Sequence, residues 1–152
     1  MSRNGLVLEG TAELVKSIEK LGKLPQKHIT AATKKAMSPV LKQAKANAPY
    51  DTGALKKGIK LVGERSRQKS KKVYRIVFDR AMNDVFQKKS ASGKGGYYPV
   101  SQEYGFFARN GRYIPGYRFI ADSFEDNLGQ IEHTIVADLK AKIDKEIEKA
   151  GL

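Results

Sequence analysis

The triplet Asp51-Thr52-Gly53 is the first candidate in this sequence for a catalytic motif. In aspartic proteases, a D-T-G loop supplies one of two carboxylates that share a proton and activate water. That chemistry needs two such loops or a symmetric dimer, and a downstream strand that braces each loop. Leu61-Val62-Gly63 lies too close behind the triplet to be this brace. We therefore interpret the triplet as part of a structural turn in which Asp51 and Thr52 accept hydrogen bonds from nearby backbone N–H groups. The turn comprises Pro49, Asp51, Thr52 and Gly53.

Other patterns that could support catalysis are incomplete. The stretch 63–70 resembles the phosphate-binding loop G-x-x-x-x-G-K-[ST], but Gln68 stands where that loop needs glycine. His28 and His133 are far apart in sequence and form no metal-binding pattern. No serine has the G-x-S-x-G context, and cysteine is absent. The sequence therefore predicts no enzymatic activity, no cofactor and no metal site.

A strong positive charge points instead to binding. Lysine and arginine number 29 against 16 acidic residues, which gives a net charge of +13. Between Lys56 and Arg75 lie nine basic residues and a single acid, Glu64. Such a stretch favours a polyanion partner, either nucleic acid or an acidic protein surface, although a solvated basic face is the alternative. The candidate polyanion-facing residues are Arg65, Arg67, Lys69, Lys71 and Lys72.

Aromatic residues cluster between Tyr97 and Tyr117, interleaved with arginines. Such a segment could stack nucleic-acid bases, or it could form a protein interface, where tyrosine and arginine are enriched. We favour the interface because the segment has no alternating strand that would serve as a stacking platform. The candidate interface residues are Tyr98, Glu103, Tyr104, Arg112, Tyr113, Tyr117, Arg118 and Phe119.

Helical periodicity dominates both ends of the chain. Residues 6–48 predict two helices separated at Gly22 and Pro25, the first on an apolar stripe and the second from about residue 26 to 48. Pro39 should kink the second helix or, with Ser38 as cap, begin a new one. Residues 118–150 predict a long helix. The apolar stripe of the first helix is Leu14, Val15, Ile18 and Leu21.

The middle of the chain predicts β-structure. β-Branched and aromatic residues favour antiparallel strands over about 58–64 and 72–79. Mobile loops are expected near 64–72, a polar run with no periodicity, and near 87–97, where Gly, Ser and Lys predominate. The fold class is therefore α+β: a small antiparallel β-sheet packed against N-terminal helices and a long C-terminal helix, with an extended basic hairpin. We expect a single domain over 1–152. With no long apolar stretch and no signal-peptide pattern, we expect the protein to be made and kept in a cytoplasm, without membrane contact.

Three segments in this order resemble a known family. They are Ala44-Lys-Ala-Asn-Ala-Pro-Tyr-Asp-Thr-Gly-Ala-Leu-Lys-Lys-Gly-Ile59, then Tyr98-Pro-Val-Ser-Gln-Glu-Tyr-Gly105, then Ile114-Pro-Gly-Tyr-Arg-Phe-Ile-Ala-Asp-Ser-Phe-Glu125. Together they resemble the gene-product-ten-like tail-completion family of tailed bacteriophages, which is related to minor tail protein Z. The departures are Gly58, where the family often has serine, and Tyr117-Arg118-Phe119, where proline and arginine commonly precede the phenylalanine.

The resemblance implies a structural virion protein of the phage neck. Its subunits would form a homo-oligomeric ring, a hexamer, between the head connector or stopper and the tail terminator or tail tube. It implies no catalysis and no cofactor. Basic residues facing the channel would tolerate passing DNA. The alternative from the residues alone is a nucleic-acid-binding module that uses the 56–75 hairpin.

Overall fold

The computed structural model describes residues 26–67, 71–89, 93 and 95–149. The predicted first helix, with its apolar stripe, lies outside the described residues. In chain order the helices are α1 (Gln26–Asn47), α2 (Ala54–Gly58), α3 (Asn83–Phe86), α4 (Tyr98–Tyr104) and α5 (Phe119–Lys149), with a 3₁₀ turn at Arg80–Met82. The strands are β1 (Ile59–Gly63), β2 (Tyr74–Phe78), β3 (Gln87–Lys89), β4 (Gly95–Tyr97), β5 (Gly105–Phe107) and β6 (Tyr113–Pro115).

The long helices α1 and α5 form the antiparallel frame of the fold. The buried face of α1 is rich in alanine, which lets the two backbones approach, and Met37 and Val40 on that face pack with Ile131 of α5. Burying such apolar side chains contributes roughly 1.5–3 kcal/mol for each large one. Lys35 is bonded to Asp138 at the rim of this contact. The second predicted helix, the long C-terminal helix and the packing between them are therefore confirmed.

Pro39 lies inside α1, which continues through it as one helix. Proline has no N–H to donate, so the bond that this position would make to the preceding turn is missing. The hydroxyl of Ser38 donates to the Lys34 carbonyl at 2.9 Å. Ser38 therefore bonds backward within the helix, and it does not cap a new one.

The strands β1 and β2 form an antiparallel pair that packs on α1. Ile59 stands opposite Phe78, and Leu61 opposite Ile76. Both strands lie within two residues of the predicted bounds, because alternating β-branched and aromatic residues suit a half-buried face. The loop that would make this pair an extended basic hairpin includes 68–70, outside the described residues.

Three differences separate the fold from the sequence-based expectation. The strands form three separate two-stranded pairs and not one sheet. The five-residue helix α2 stands between the Asp51 turn and β1. Within the mobile loop expected at 87–97, β3 and β4 are paired, and Gln87 stands opposite Tyr97. Gly95 and Gly96 supply backbone groups to this ladder without side chains, so hydropathy and β-propensity gave no signal there.

An aromatic cluster joins the small strands to α5. Phe78 lies 6.3 Å from Phe86 and 6.3 Å from Phe119 between ring centroids, in edge-to-face arrangements. Tyr97 completes the cluster 6.0 Å from Phe86. Such pairs contribute about 0.5–1.5 kcal/mol each beyond burial. The cluster therefore holds β2, α3, β4 and the N-terminus of α5 together, next to the segment that contains the candidate interface.

Candidate protein interface and basic surface

The Asp51-Thr52-Gly53 corner is a backbone turn that starts α2. The Ala54 N–H lies 3.4 Å from the Thr52 hydroxyl, which accepts its hydrogen bond, and Gly53 adopts φ = 76°, a left-handed conformation that favours glycine. The Lys57 N–H donates to the Gly53 carbonyl at 3.1 Å. Asp51 is exposed and, among the described residues, receives no backbone hydrogen bond, contrary to the prediction for its side chain.

Glu103 is buried and is not a surface residue. Its side chain projects from α4 to the first turn of α5, where Oε2 accepts from the Ile120 N–H and Oε1 from the Ala121 N–H, both at 2.9 Å. Only 2% of Glu103 is exposed. A carboxylate is favourable there because helix N-termini present unpaired N–H groups and a partial positive charge. The interface interpretation of Glu103 is thereby corrected: the residue clamps α4 to α5.

Backbone contacts reinforce this clamp. The Tyr117 N–H donates to the Gln102 carbonyl at 2.7 Å, and the Arg118 N–H donates to the Glu103 carbonyl at 3.0 Å. A Cβ atom at Gly116 would lie 2.3 Å from the Glu103 carbonyl oxygen. This approach admits only glycine, so the segment between α4 and α5 emerges from a rigid base.

That segment is an aromatic hairpin, residues 105–115, formed by β5 and β6. Phe107 stands opposite Tyr113, with ring centroids 5.3 Å apart. Phe107 is 76% exposed and Tyr113 50%. The Tyr113 hydroxyl donates to the Tyr104 carbonyl at 2.5 Å, and Arg112 is exposed near the turn. Predicted interface residues Tyr104, Arg112, Tyr113 and Tyr117 are thus brought together on one exposed projection or beside its base.

The remaining predicted interface residues lie close to the N-terminus of α5; they are Tyr98, Arg118 and Phe119. Phe119 is 1% exposed in the aromatic cluster, so its assignment to an interface is corrected. Tyr98 is half-buried. Its burial, and to a smaller extent the nearby negative charge of Asp51, raises the pKa of its hydroxyl. The Arg118 guanidinium donates to Asp122 and to Glu125, each at 3.0 Å, and these acids raise the Arg118 pKa.

The basic surface lies at the opposite end of β2 from the aromatic cluster. Arg65, Arg67 and Lys71 are exposed around a shallow depression. Lys72 is half-buried: its ammonium donates to the Glu64 carbonyl at 2.8 Å and lies 5.5 Å from the centre of the Tyr74 ring. Lys69 lies outside the described residues. Three of the five predicted polyanion-facing side chains are therefore open to a partner.

The only acid in the basic stretch is already engaged. The Glu64 carboxylate forms an ion pair with the Arg75 guanidinium at 2.6 Å. This pairing leaves the exposed positive charges around the depression without a compensating acid from the stretch itself.

Several features of the interface were missed from the sequence. Ile114, 40% exposed, and the buried Phe86 were not singled out. The expectation that this segment holds no alternating strand was wrong, because β5 and β6 are paired on either side of a turn that contains Asn110-Gly111, a dipeptide typical of hairpins. The Asn110 side chain accepts from the Arg112 N–H at 3.1 Å, and Gly111 adopts φ = 80°.

Across residues 26–67, 71–89, 93 and 95–149, no group of three or more His, Asp and Glu side chains could hold a metal ion. None of the helices in the described part of the chain combines the length and the apolar character needed to cross a membrane.

Comparison with known proteins identifies one family. Residues 12–89, 78 of the 152, match the family model HK97-gp10_like, described as "Bacteriophage HK97-gp10, putative tail-component". The matched range contains the Asp51-Thr52-Gly53 corner and the pair β1–β2. Searches of curated proteins and of solved structures gave no significant match. The chain belongs to the HK97-gp10-like family of bacteriophage tail components.

Proposed function

We propose that this chain is a tail-completion subunit of the phage neck, which assembles as a homo-oligomeric ring, a hexamer, between head and tail. Its axial partners are the head connector or stopper on one side and the tail terminator or tail tube on the other. Its place is therefore the virion, after assembly in the host cytoplasm. The role is structural, and the family of tail components provides the first support.

The aromatic hairpin is the observation that carries the proposal. Phe106, Phe107, Tyr113 and Ile114 are between 40% and 76% exposed on one two-stranded projection. Monomeric soluble proteins rarely expose this many large apolar side chains on one small element unless another protein covers them. The rigid base at Glu103 and Gly116 suits a docking element whose shape is set before binding, because less ordering entropy is then lost on association.

The two acids that sequence patterns highlighted also support a structural role. Asp51 lies in an exposed turn, and both carboxylate oxygens of Glu103 accept backbone hydrogen bonds. A carboxylate occupied in this way holds a helix end in place. Substrate turnover by purified protein that is lost in Asp51→Asn or Glu103→Gln would contradict this role.

The direct test is to locate the chain in assembled particles. Cryo-microscopy of particles that carry a tagged copy should show density in a ring at the neck. Particles assembled without the chain should accumulate as separate heads and tails. Density elsewhere in the particle, or normal joining without the chain, would overturn the proposal.

A second candidate function is contact with DNA through the basic surface. Its support is the exposure of Arg65, Arg67 and Lys71 around one depression, next to an acid that is already paired. Such charges would neutralise phosphates of DNA that passes through a ring. Binding to a labelled duplex at low salt tests this function separately from ring assembly.

A further inference from the structure

An open apolar groove runs between β2 and the first turns of α5. Its volume is about 380 Å³. Phe124, 41% exposed, forms part of its wall. The other lining residues are Met37, Tyr74, Arg75, Ile76, Ile120, Ala121 and Glu125. Most of these side chains are apolar, so the groove suits an apolar or aromatic occupant.

The groove follows an edge of β2 with which no other described strand pairs. Successive side chains of a strand point to opposite faces, so a groove lined by Tyr74, Arg75 and Ile76 in succession must run along the strand edge. No β1 residue lines it, which places it on the edge away from β1. We call it the edge groove.

The hydrogen-bond alternation shows which backbone groups face the edge groove. The Glu64 N–H donates to the Val73 carbonyl, and the Asp79 N–H donates to the Gly58 carbonyl. Hydrogen-bonded pairs alternate with non-hydrogen-bonded pairs along an antiparallel ladder. Arg75, two residues from Val73, therefore points its N–H and C=O toward β1. Tyr74 and Ile76 therefore point theirs toward the edge groove, where an added strand would pair with them.

The aromatic hairpin has the matching properties. The Ala108 N–H donates to the Arg112 carbonyl, and the same alternation leaves the N–H and C=O of Phe107 on the outer edge of β5. The exposed ring of Phe107 is apolar like the groove. The hairpin therefore offers both a free strand edge and an aromatic side chain.

Charge also matches between the two surfaces. The hairpin turn carries Arg109 and Arg112, both exposed. Beside the edge groove lie three acids and two bases, a local net charge of −1 in a chain of net charge +13. These residues are Arg75, Arg118, Asp122, Glu125 and Asp126. Opposite local charges at two surfaces favour their association and fix its orientation.

We propose that the aromatic hairpin of one copy of this chain docks in the edge groove of the next copy. The edge of β5 then lies beside the edge of β2, and Phe107 enters the groove. Because the two surfaces differ, the contact is head-to-tail, which is the kind that generates closed rings. This inference rests on the proposed ring and names its lateral contact.

Cross-linking between single-cysteine variants tests the contact. The natural chain has no cysteine, so Ala108→Cys beside Phe107 and Ala121→Cys in the groove wall each supply one thiol. A disulfide requires Cα atoms within about 7 Å, and two single-cysteine chains can link only between copies. The two variants, one of which carries a mass tag, are mixed as purified proteins and are also assembled together into particles. In both preparations we expect a disulfide-linked dimer that contains one copy of each variant.

The matched control is Ala108→Cys mixed with Ala137→Cys. Ala137 is exposed on the same helix, about 24 Å from Ala121 at 1.5 Å rise per residue. We expect no mixed dimer in this control. Equal cross-linking in both mixtures, or none in either preparation, would overturn the docking contact.

Charge exchange provides a second test. Arg112→Glu should lower the association constant about tenfold, because it places like charges opposite each other. Adding Glu125→Lys should restore most of that loss. Lys140→Glu, exposed on α5 away from the groove, makes the same change in net charge and should have no effect. Sedimentation velocity over a concentration series measures all four proteins, and failure of the double variant to recover would contradict the pairing.

The two proposals fail in distinguishable ways. A neck ring in particles without the Ala108–Ala121 cross-link refutes the docking contact and leaves the proposed function standing. The cross-link without density at the neck refutes the proposed function and leaves a self-association contact.

Discussion

The backbone N–H of Ile120 donates to Oε2 of Glu103 at 2.9 Å, so a side chain of α4 caps the N-terminus of α5. Oε1 of the same carboxylate accepts from the Ala121 N–H. One buried acid thereby sets the angle between the short helix and the long helix. Because the aromatic hairpin connects these two helices, its position depends on this cap.

Glu103→Gln should destabilise the protein by about 2 kcal/mol, since the amide group would face a backbone donor and the charge-assisted bonds would be lost. Urea unfolding followed by circular dichroism measures the change. Glu132→Gln makes the same chemical change at an exposed site on α5 and should lie within about 0.5 kcal/mol of the parent. Equal midpoints for the two variants would show that the cap contributes nothing.

The helical frame was predictable from the sequence, whereas the role of Glu103 was not. Apolar periodicity placed α1 and α5 correctly, because long amphipathic stripes report burial directly. Glu103 lies in a tyrosine-rich segment, and composition there indicates an interface. Its burial depends on two backbone donors seventeen and eighteen residues away, and no local pattern encodes those contacts.

Gly58 fits against the ring of Phe86. A Cβ atom there would lie 2.3 Å from the ring, so Gly58→Ala should destabilise the protein by about 1–3 kcal/mol through overpacking. Combining it with Phe86→Leu should cost less than the sum of the two single changes. Thermal unfolding measures both.

The matched control for Gly58 lies in α5. Apart from its chain neighbours and the backbone of its own helix, no heavy atom of the described residues lies within 4 Å of a Cβ at Gly129, so Gly129→Ala should stabilise the helix by about 0.5–1 kcal/mol. Destabilisation of both variants by similar amounts would contradict the packing explanation. The absence of a side chain at position 58 is then explained by its contact with the Phe86 ring.

Asp138 should make the α1–α5 contact sensitive to acid. Hydrogen bonds from Lys142 and then Lys35 lower the pKa of Asp138 below its ordinary value of 3.8. A depressed pKa in the folded state contributes stability above the unfolded pKa, and that contribution disappears as pH falls through the folded value. Urea midpoints of the parent should therefore decline from about pH 5 to about pH 2.

In Asp138→Asn this decline should be smaller, and stability at neutral pH should be lower. Asp144→Asn removes an exposed carboxylate from the same helix and should retain the decline of the parent. Identical pH profiles for Asp138→Asn and the parent would exclude the Lys35–Asp138–Lys142 group as the cause.

The interface could be predicted only in part. Aromatic clustering indicated residues 97–117, and four predicted residues are exposed on the hairpin or at its base. The edge groove could not be predicted, because it combines α1, β2 and α5, which meet only in the fold. Lys72 likewise looked equivalent to its basic neighbours, yet Tyr74 and the Glu64 carbonyl hold it against the protein.

The basic surface predicts a DNA affinity that depends on position and not only on total charge. Reversing Arg65, Arg67 and Lys71 to glutamate should weaken binding to a labelled duplex for all sequences alike, because phosphate contacts carry no base information. If all three contact phosphates, the slope of log K against log salt should fall by about 2.7. Fluorescence anisotropy over a salt series gives both quantities.

Reversal of Arg80, Lys88 and Lys89 provides the comparison for this DNA prediction. These residues are exposed in the 3₁₀ turn and in β3, which follow β2 at its end away from the basic surface, and their reversal changes the net charge by the same amount. A local phosphate site requires the first triple variant to lose far more affinity than the second. The reason is that screening at physiological salt limits the range over which exposed charges interact to about 8 Å. Equal losses would mean that the net charge of +13 attracts DNA without a site, and the 56–75 segment would then have no special role.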